Sequence, residues 1–254
     1  MSFETRGQER PAGGPGSATA EGVSMQILST EHWSLLATRS LGYTEFFSRA
    51  NMFFSVLSGA VIALALIAQA GRFETFIAAA ILLLAITFFV GLATIARIAQ
   101  LNYEDTLWVT GMNRIRHAYL ELHPELTQYF VTSKHDDMLG IFTTLGLAQV
   151  LPGRRLLTDL GHSLTTLPGM LTIIVAVVAG AWGAVVSVAL GFPQLLAVAA
   201  GVGCFLITMV GSSIWGQRVV RRFAKGTVAQ FPSPVEELAS QTRRSGEVGG
   251  GAGI

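Results

Sequence analysis

Three stretches of the chain carry no charged residue: positions 50–71 (22 residues), 75–96 (22 residues) and 161–217 (57 residues). A helix rises about 1.5 Å per residue, so ~20 apolar residues cross a ~30 Å hydrocarbon core. The first two stretches each fit one crossing. The third fits two, divided at Gly191-Phe192-Pro193, a turn signal. The pattern predicts membrane spans over 52–70, 75–96, 169–190 and 194–216. Core helices of soluble proteins rarely run beyond about 18 residues without charge, and four helices lacking a polar stripe leave no face for water. The expected fold class is therefore all-α: a polytopic membrane protein with four transmembrane helices in two hairpins, plus cytoplasmic amphipathic helices.

Two segments outside the spans are periodic. Before span one, Trp33, Leu36, Tyr43, Phe46 and Phe47 fall at offsets of 0, 3, 10, 13 and 14, one face of a helix. Ser29 or Thr30 suits its N-cap and Glu31 its first turn. That face fits either the membrane interface or other protein helices. After span two, Trp108, Met112, Ile115, Tyr119 and Leu122 fall at offsets of 0, 4, 7, 11 and 14, a heptad-like cytoplasmic interaction stripe. Pro124 ends or bends that helix, and the pattern allows span two and this helix to form one long rod projecting into the cytoplasm. The stripe needs a cover, supplied by the helix before span one, by 125–150 or by another subunit. The resulting organisation is a disordered N-tail (1–26), an amphipathic cytoplasmic or interfacial helix (27–50), hairpin one (51–97), a cytoplasmic helical segment (98–165), hairpin two (166–217) and a basic, then disordered C-tail (218–254). Residues 1–25 lack the apolar core of a signal peptide.

Basic residues set the orientation. Arg72 is the only one in the first short link, and the second link has no charge; the other 16 of 17 lie on the tails and the central segment. Positive charge near span ends is retained in the cytoplasm. Both termini and the central segment are expected there, in a bacterial inner membrane. Arg39, Arg49, Arg154, Arg155, Arg218, Arg221 and Arg222 flank the spans and are expected at lipid headgroups.

Composition adds exclusions. Of 254 residues, 51% are hydrophobic and 13% charged, about half the soluble average. Mean hydropathy is +0.52. A net charge of +1 gives no case for nucleic acid, and one cysteine excludes a disulfide framework and a Cys-based zinc site. That cysteine, Cys204, lies in span four, where an apolar setting keeps a thiol inert. His117 and Glu121 share a helical face, with His123, Glu125 and His135-Asp136-Asp137 nearby in sequence. No tight ligand motif joins them, and a solvated polar face is the preferred reading. No cofactor, metal or enzymatic activity is expected.

No Asp, Glu, Lys, Arg or His lies inside a predicted span, which argues against proton-coupled transport. Thr87, Thr94, Thr208, Ser212 and Ser213 are the hydroxyls available to a pore, although such groups more often bond to their own helix. Small residues recur at four-residue spacing: Ser55, Gly59 and Ala63 on span one; Ala176, Gly180 and Ala184, beside Ala179, Gly183 and Ser187, on span three. Such rows let helices approach closely in lipid. The two rows on span three offer one face to the bundle and another to a second subunit, although packing within the chain alone is the preferred reading of the rows; a homo-oligomer is expected among the partners.

The strings Glu31-His32-Trp33-Ser34-Leu35-Leu36-Ala37-Thr38-Arg39-Ser40 and Asn102-Tyr103-Glu104-Asp105-Thr106-Leu107-Trp108 resemble a group of uncharacterised bacterial membrane proteins over roughly 30–150. The resemblance implies no activity. A looser architectural similarity is to SLATT-type membrane effectors, two-span proteins with a cytoplasmic helical part proposed to form pores. The expected function is a non-enzymatic membrane interaction or sensing module that self-associates, with the lipid bilayer and a second copy as partners. A small channel or pore-forming effector is the alternative, and a membrane-bound enzyme the third.

Overall fold

The computed structural model describes residues 15–147, 166–226 and 228–238, the side chains of 15–19 and 220–226 excepted. The described residues form helices and no strand: α1 (Pro15–Gln69), α2 (Phe73–Leu122), a 3-10 turn (Pro124–Tyr129), α3 (Met138–Thr144), α4 (Leu167–Ala189) and α5 (Gln194–Gly226). Four of them, α1, α2, α4 and α5, are long and apolar enough to cross a membrane.

Helix length departs from the sequence-based division on α1, while on α2 it takes the continuous rod that the sequence allowed. The segments 27–50 and 98–122 are not separate from spans one and two. Each continues its span without a break, giving rods of 55 and 50 residues, about 80 and 75 Å long. Neither junction contains a proline or glycine, so nothing interrupts the i to i−4 ladder at residue 50 or 97. Helix α1 also begins at Pro15, inside the tail assigned to disorder. Proline is suited to the first helical position, where its missing N–H costs nothing. Helix α5 likewise runs past its expected end, to Gly226.

Two tight turns reverse the chain. Gly71 between α1 and α2 (φ 73°) and Gly191 between α4 and α5 (φ 80°) adopt the left-handed conformation that ends helices and disfavours side chains. Helix α2 packs along α1, α4 packs on α2, and α5 packs mainly on α4. Where α1, α2 and α4 meet, Ala50, Phe53, Ile98, Leu171 and Val175 form a buried cluster. Gly91 makes this meeting possible: a Cβ there would lie 2.6 Å from a Val175 methyl carbon and 3.0 Å from the Phe53 ring. A second cluster joins Ala80 and Leu84 to Val178, beside Trp182. The Trp182 indole N–H donates to the Ile81 carbonyl at 3.1 Å.

The α4–α5 contact is closer still. A Cβ on Gly180 would lie 3.0 Å from the Gly201 carbonyl oxygen, and one on Gly183 would lie 2.6 Å from the Cys204 sulfur. Ala184 faces Gly201, and Ala176 is fully buried. The small residues of α4 thus pack within the chain. The row on α1 does not: Ser55 and Gly59 are exposed, Ala63 is half-buried, and nothing lies within 4 Å of a Cβ on Gly59. Along the apolar stretches the outer surface is itself apolar, with Phe89 72%, Leu195 81% and Ile207 74% exposed. Contiguous surface of this kind suits lipid and not water.

Candidate functional site

Past the apolar stretches, polar contacts take over the α1–α2 seam. Arg97 grips Glu45 with two parallel bonds of 2.8 and 2.9 Å and reaches Glu104 at 3.1 Å. Hydrogen bonding to Arg97 holds the Glu45 carboxyl below the usual range. Arg39 makes a similar fork on Asp105, at 2.6 and 3.2 Å. Arg39, expected at lipid headgroups, has a fixed bidentate partner in this carboxylate on the neighbouring helix. Arg49 leans on Glu45 at 3.5 Å and stays half-exposed. Arg218 is exposed. Arg154 and Arg155 lie outside the described residues, as do the side chains of Arg221 and Arg222.

The aromatic face expected on α1 is also placed differently. Trp33, Leu36, Tyr43 and Phe47 are exposed, and only Phe46 of that set turns inward. The packed face carries Leu35, Arg39, Gly42, Phe46, Ala50 and Phe53. Gly42 admits Trp108, since a Cβ there would lie 2.7 Å from the indole ring; Leu35 packs on Gly111. The α2 stripe is thereby covered from inside the chain. Met112 and Ile115 are buried, Trp108 and Tyr119 half-buried, and Leu122 exposed.

The densest polar cluster of the extramembrane layer joins α2, the segment before α3 and residues 228–233. Asn113, fully buried, donates to the His135 carbonyl at 2.7 Å and accepts from Arg116 at 2.6 Å and Thr144 at 2.9 Å. These bonds fix the loop that presents Asp136 and Asp137. The Asp136 carboxylate accepts from the Arg114 guanidinium at 2.7 Å and from the backbone N–H groups of Gln230 and Phe231 at 2.9 and 2.8 Å. Asp137 caps α3 through the Gly140 N–H at 2.7 Å, and its other oxygen accepts from the Ser233 N–H at 2.8 Å and from the Ser233 hydroxyl. The Phe231 ring stacks on His117 with centroids 4.0 Å apart. Arg114 also reaches the Val228 carbonyl at 3.4 Å.

Two adjacent carboxylates thus clamp the backbone of a peptide segment. Burial alone would push the Asp136 carboxyl up, but the Gln230 and Phe231 amides and Arg114 outweigh it and hold the group below its ordinary range. The assignment of 218–254 to a tail is corrected for 228–238. The signal available in the sequence was Phe231-Pro232-Ser233-Pro234, whose two prolines restrict the preceding residues to extended backbone, opposite a His-Asp-Asp run. Between α1 and α2, burial and the nearby Arg116 push the His32 imidazole down.

The possible metal ligands do not converge. His117 lies 3.4 Å from Glu121, and His123 lies 3.1 Å from Glu125. His135 faces the Phe231 carbonyl at 3.3 Å. Among the described residues no group of three or more His, Cys, Asp or Glu could hold a metal. The hydroxyls considered for a pore divide. Thr87 and Thr94 are buried and donate to Leu83 and Val90 of their own helix at 2.7 and 2.8 Å, and Ser213 does the same to Met209. Thr208 and Ser212 face a groove between α2 and α5.

No protein-family model matches the chain, and no curated protein and no solved structure matches it.

Proposed function

We propose that the chain is a four-span protein of the bacterial inner membrane, with its termini and the α1–α2 extension in the cytoplasm. It acts there as a non-enzymatic interaction or sensing module and self-associates through α1. One observation carries this reading. Outside its apolar stretch, α1 turns Arg39, Gly42 and Phe46 toward α2 and leaves Trp33, Leu36, Tyr43 and Phe47 exposed along the border of that packed face. An exposed aromatic patch is the usual mark of an interaction surface. Further along α1, Ser55 and Gly59 are exposed as well, and a second helix has room to approach closely at Gly59. The carboxylates Asp136 and Asp137 serve the internal clamp, which ties the C-terminal segment to the extramembrane layer and joins that layer to the end of α5.

The test is oxidative crosslinking in native membranes on a Cys204→Ser background. Trp33→Cys and Phe47→Cys are expected to give dimers, while a control cysteine at Glu121, exposed on α2, gives none. Monomers at both positions would remove the self-association. Labelling of the Glu121 cysteine by an impermeant reagent outside intact cells would reverse the orientation.

A further inference from the structure

Helices α2 and α5 are held apart by α4 and stand on either side of an open groove of about 340 Å³. Its walls are Phe88, Leu92 and Ile95 on α2, and Ile207, Gly211 and Trp215 on α5. The lining runs over residues 88–96 of one helix and 207–215 of the other, about 12 Å of helix length. That is roughly the depth of one leaflet of a ~30 Å hydrocarbon core. Both walls belong to charge-free stretches, so the groove opens sideways into lipid and not into water. Its volume is in the range of small-molecule sites.

The two ends of the groove differ chemically. At one end Trp215 places an indole, the side chain most favoured at the membrane–water boundary. Ser212 lies on the lining close to that end. Thr208, Gly211, Trp215 and Arg218 follow at offsets of 0, 3, 7 and 10, so Arg218 continues the same face of α5 one turn beyond the groove. Arg218 is exposed, and among the described residues no carboxylate pairs with it. A guanidinium one turn above an indole, over an apolar slot one leaflet deep, complements a phosphate headgroup above an acyl chain.

We infer that this groove binds one acyl chain of an anionic glycerophospholipid, whose phosphate sits at Arg218. The inference rests on the helices spanning a bilayer and is independent of self-association through α1. Nothing lies within 4 Å of a Cβ on Gly211, so a larger side chain there fills the slot without striking the backbone. The experiment reconstitutes the protein in nanodiscs of equal phosphatidylglycerol and phosphatidylcholine, re-extracts it in detergent and measures the lipid retained per chain by mass spectrometry.

The wild type is expected to keep about one lipid, enriched in phosphatidylglycerol. Gly211→Leu is expected to lose it, and Ala96→Leu, from the opposite wall, to do the same. Gly203→Leu, which also has open space around its Cβ but is not on the lining, is expected to keep it. Arg218→Gln is expected to keep a lipid while its phosphatidylglycerol preference falls about fivefold. Retention by Gly211→Leu and Ala96→Leu equal to wild type would reduce the groove to ordinary annular contact and overturn the site. Equal retention of the two lipids by the wild type would overturn its anionic character. A protein that stays monodisperse without detergent would instead remove the bilayer itself.

Discussion

Helix α2 changes how it adheres to its neighbours at Arg97. Over 75–96 it meets α1 and α4 through Ala80, Leu84 and Gly91, by apolar contact and by the room Gly91 leaves for Val175 and Phe53. Past Arg97 the same helix uses Arg97, Asp105, Asn113 and Arg114, each with a named acceptor or donor. The difference follows the solvent. In lipid, apolar surface gains nothing by leaving its surroundings, so association depends on fit and van der Waals contact. Outside lipid, burial is favourable and charges must be paired when they are covered. One continuous helix thus carries two codes, and each fails in its own way.

The largest expected effect is on the polar side. Asp136→Ala removes the acceptor of three bonds, leaving two partly buried amides without it and Arg114 with only its long contact to the Val228 carbonyl. Each hydrogen bond to a charged group contributes about 1.5–3 kcal/mol, and the loss of three is concentrated on the docking of 228–238. Amide exchange of Gln230 and Phe231 should accelerate at least ~100-fold, while α1 and α2 keep their protection. Unchanged exchange would mean the clamp holds nothing. Acid should act in the same direction. Asp136 titrates below its ordinary 3.8, so its contribution is complete above that value and is lost as pH falls through the lower folded value. Between pH 5 and 8 this group should leave docking unchanged.

The next effect is on the apolar side. Gly91→Leu drives a side chain between Val175 and Phe53, and overpacking of this kind costs about 1–3 kcal/mol. The detergent-solubilised protein should melt earlier, with no dependence on salt. The smallest effect belongs to the seam. Glu45→Gln removes one arm of the Arg97 network, whose members are about a third exposed, and should lower the melting temperature least, by an amount that shrinks as salt rises. A salt-dependent Gly91→Leu, or a salt-independent Glu45→Gln, would erase the distinction between the two codes.

The four apolar helices were legible because length and absence of charge are properties of the chain alone. The registers outside lipid were not. On α1 the hydropathic face, Trp33 to Phe47, borders the packed face and is not the one that meets α2, Phe46 excepted. The packed face includes an arginine and a glycine, which a search for apolar residues passes over. Their value lies in what stands opposite: Arg39 needs Asp105, and Gly42 needs Trp108. The oppositely charged pairs Arg39–Asp105 and Glu45–Arg97 were the available signal, since one helix running back along the other brings them level. The clamp was hidden for a related reason. Asp136 and Asp137 look like free acids or metal ligands until the amides of 230–233, about 95 residues away, are laid against them. Among the small-residue rows, spacing identified those on α4 that pack but did not separate them from the row on α1 that faces outward.

The absence of any break in α2 at the membrane boundary has a mechanical meaning. From residue 75 to 96 the rod runs about 33 Å, and from 97 to 122 about 39 Å, so the two arms are nearly equal. No proline or glycine at residue 97 offers a joint between them. A tilt of the membrane arm is therefore expected to carry the His117–Phe231 stack on the other arm with it. A thinning bilayer or a wedge between α2 and α5 would therefore be felt directly where the C-terminal peptide is fastened.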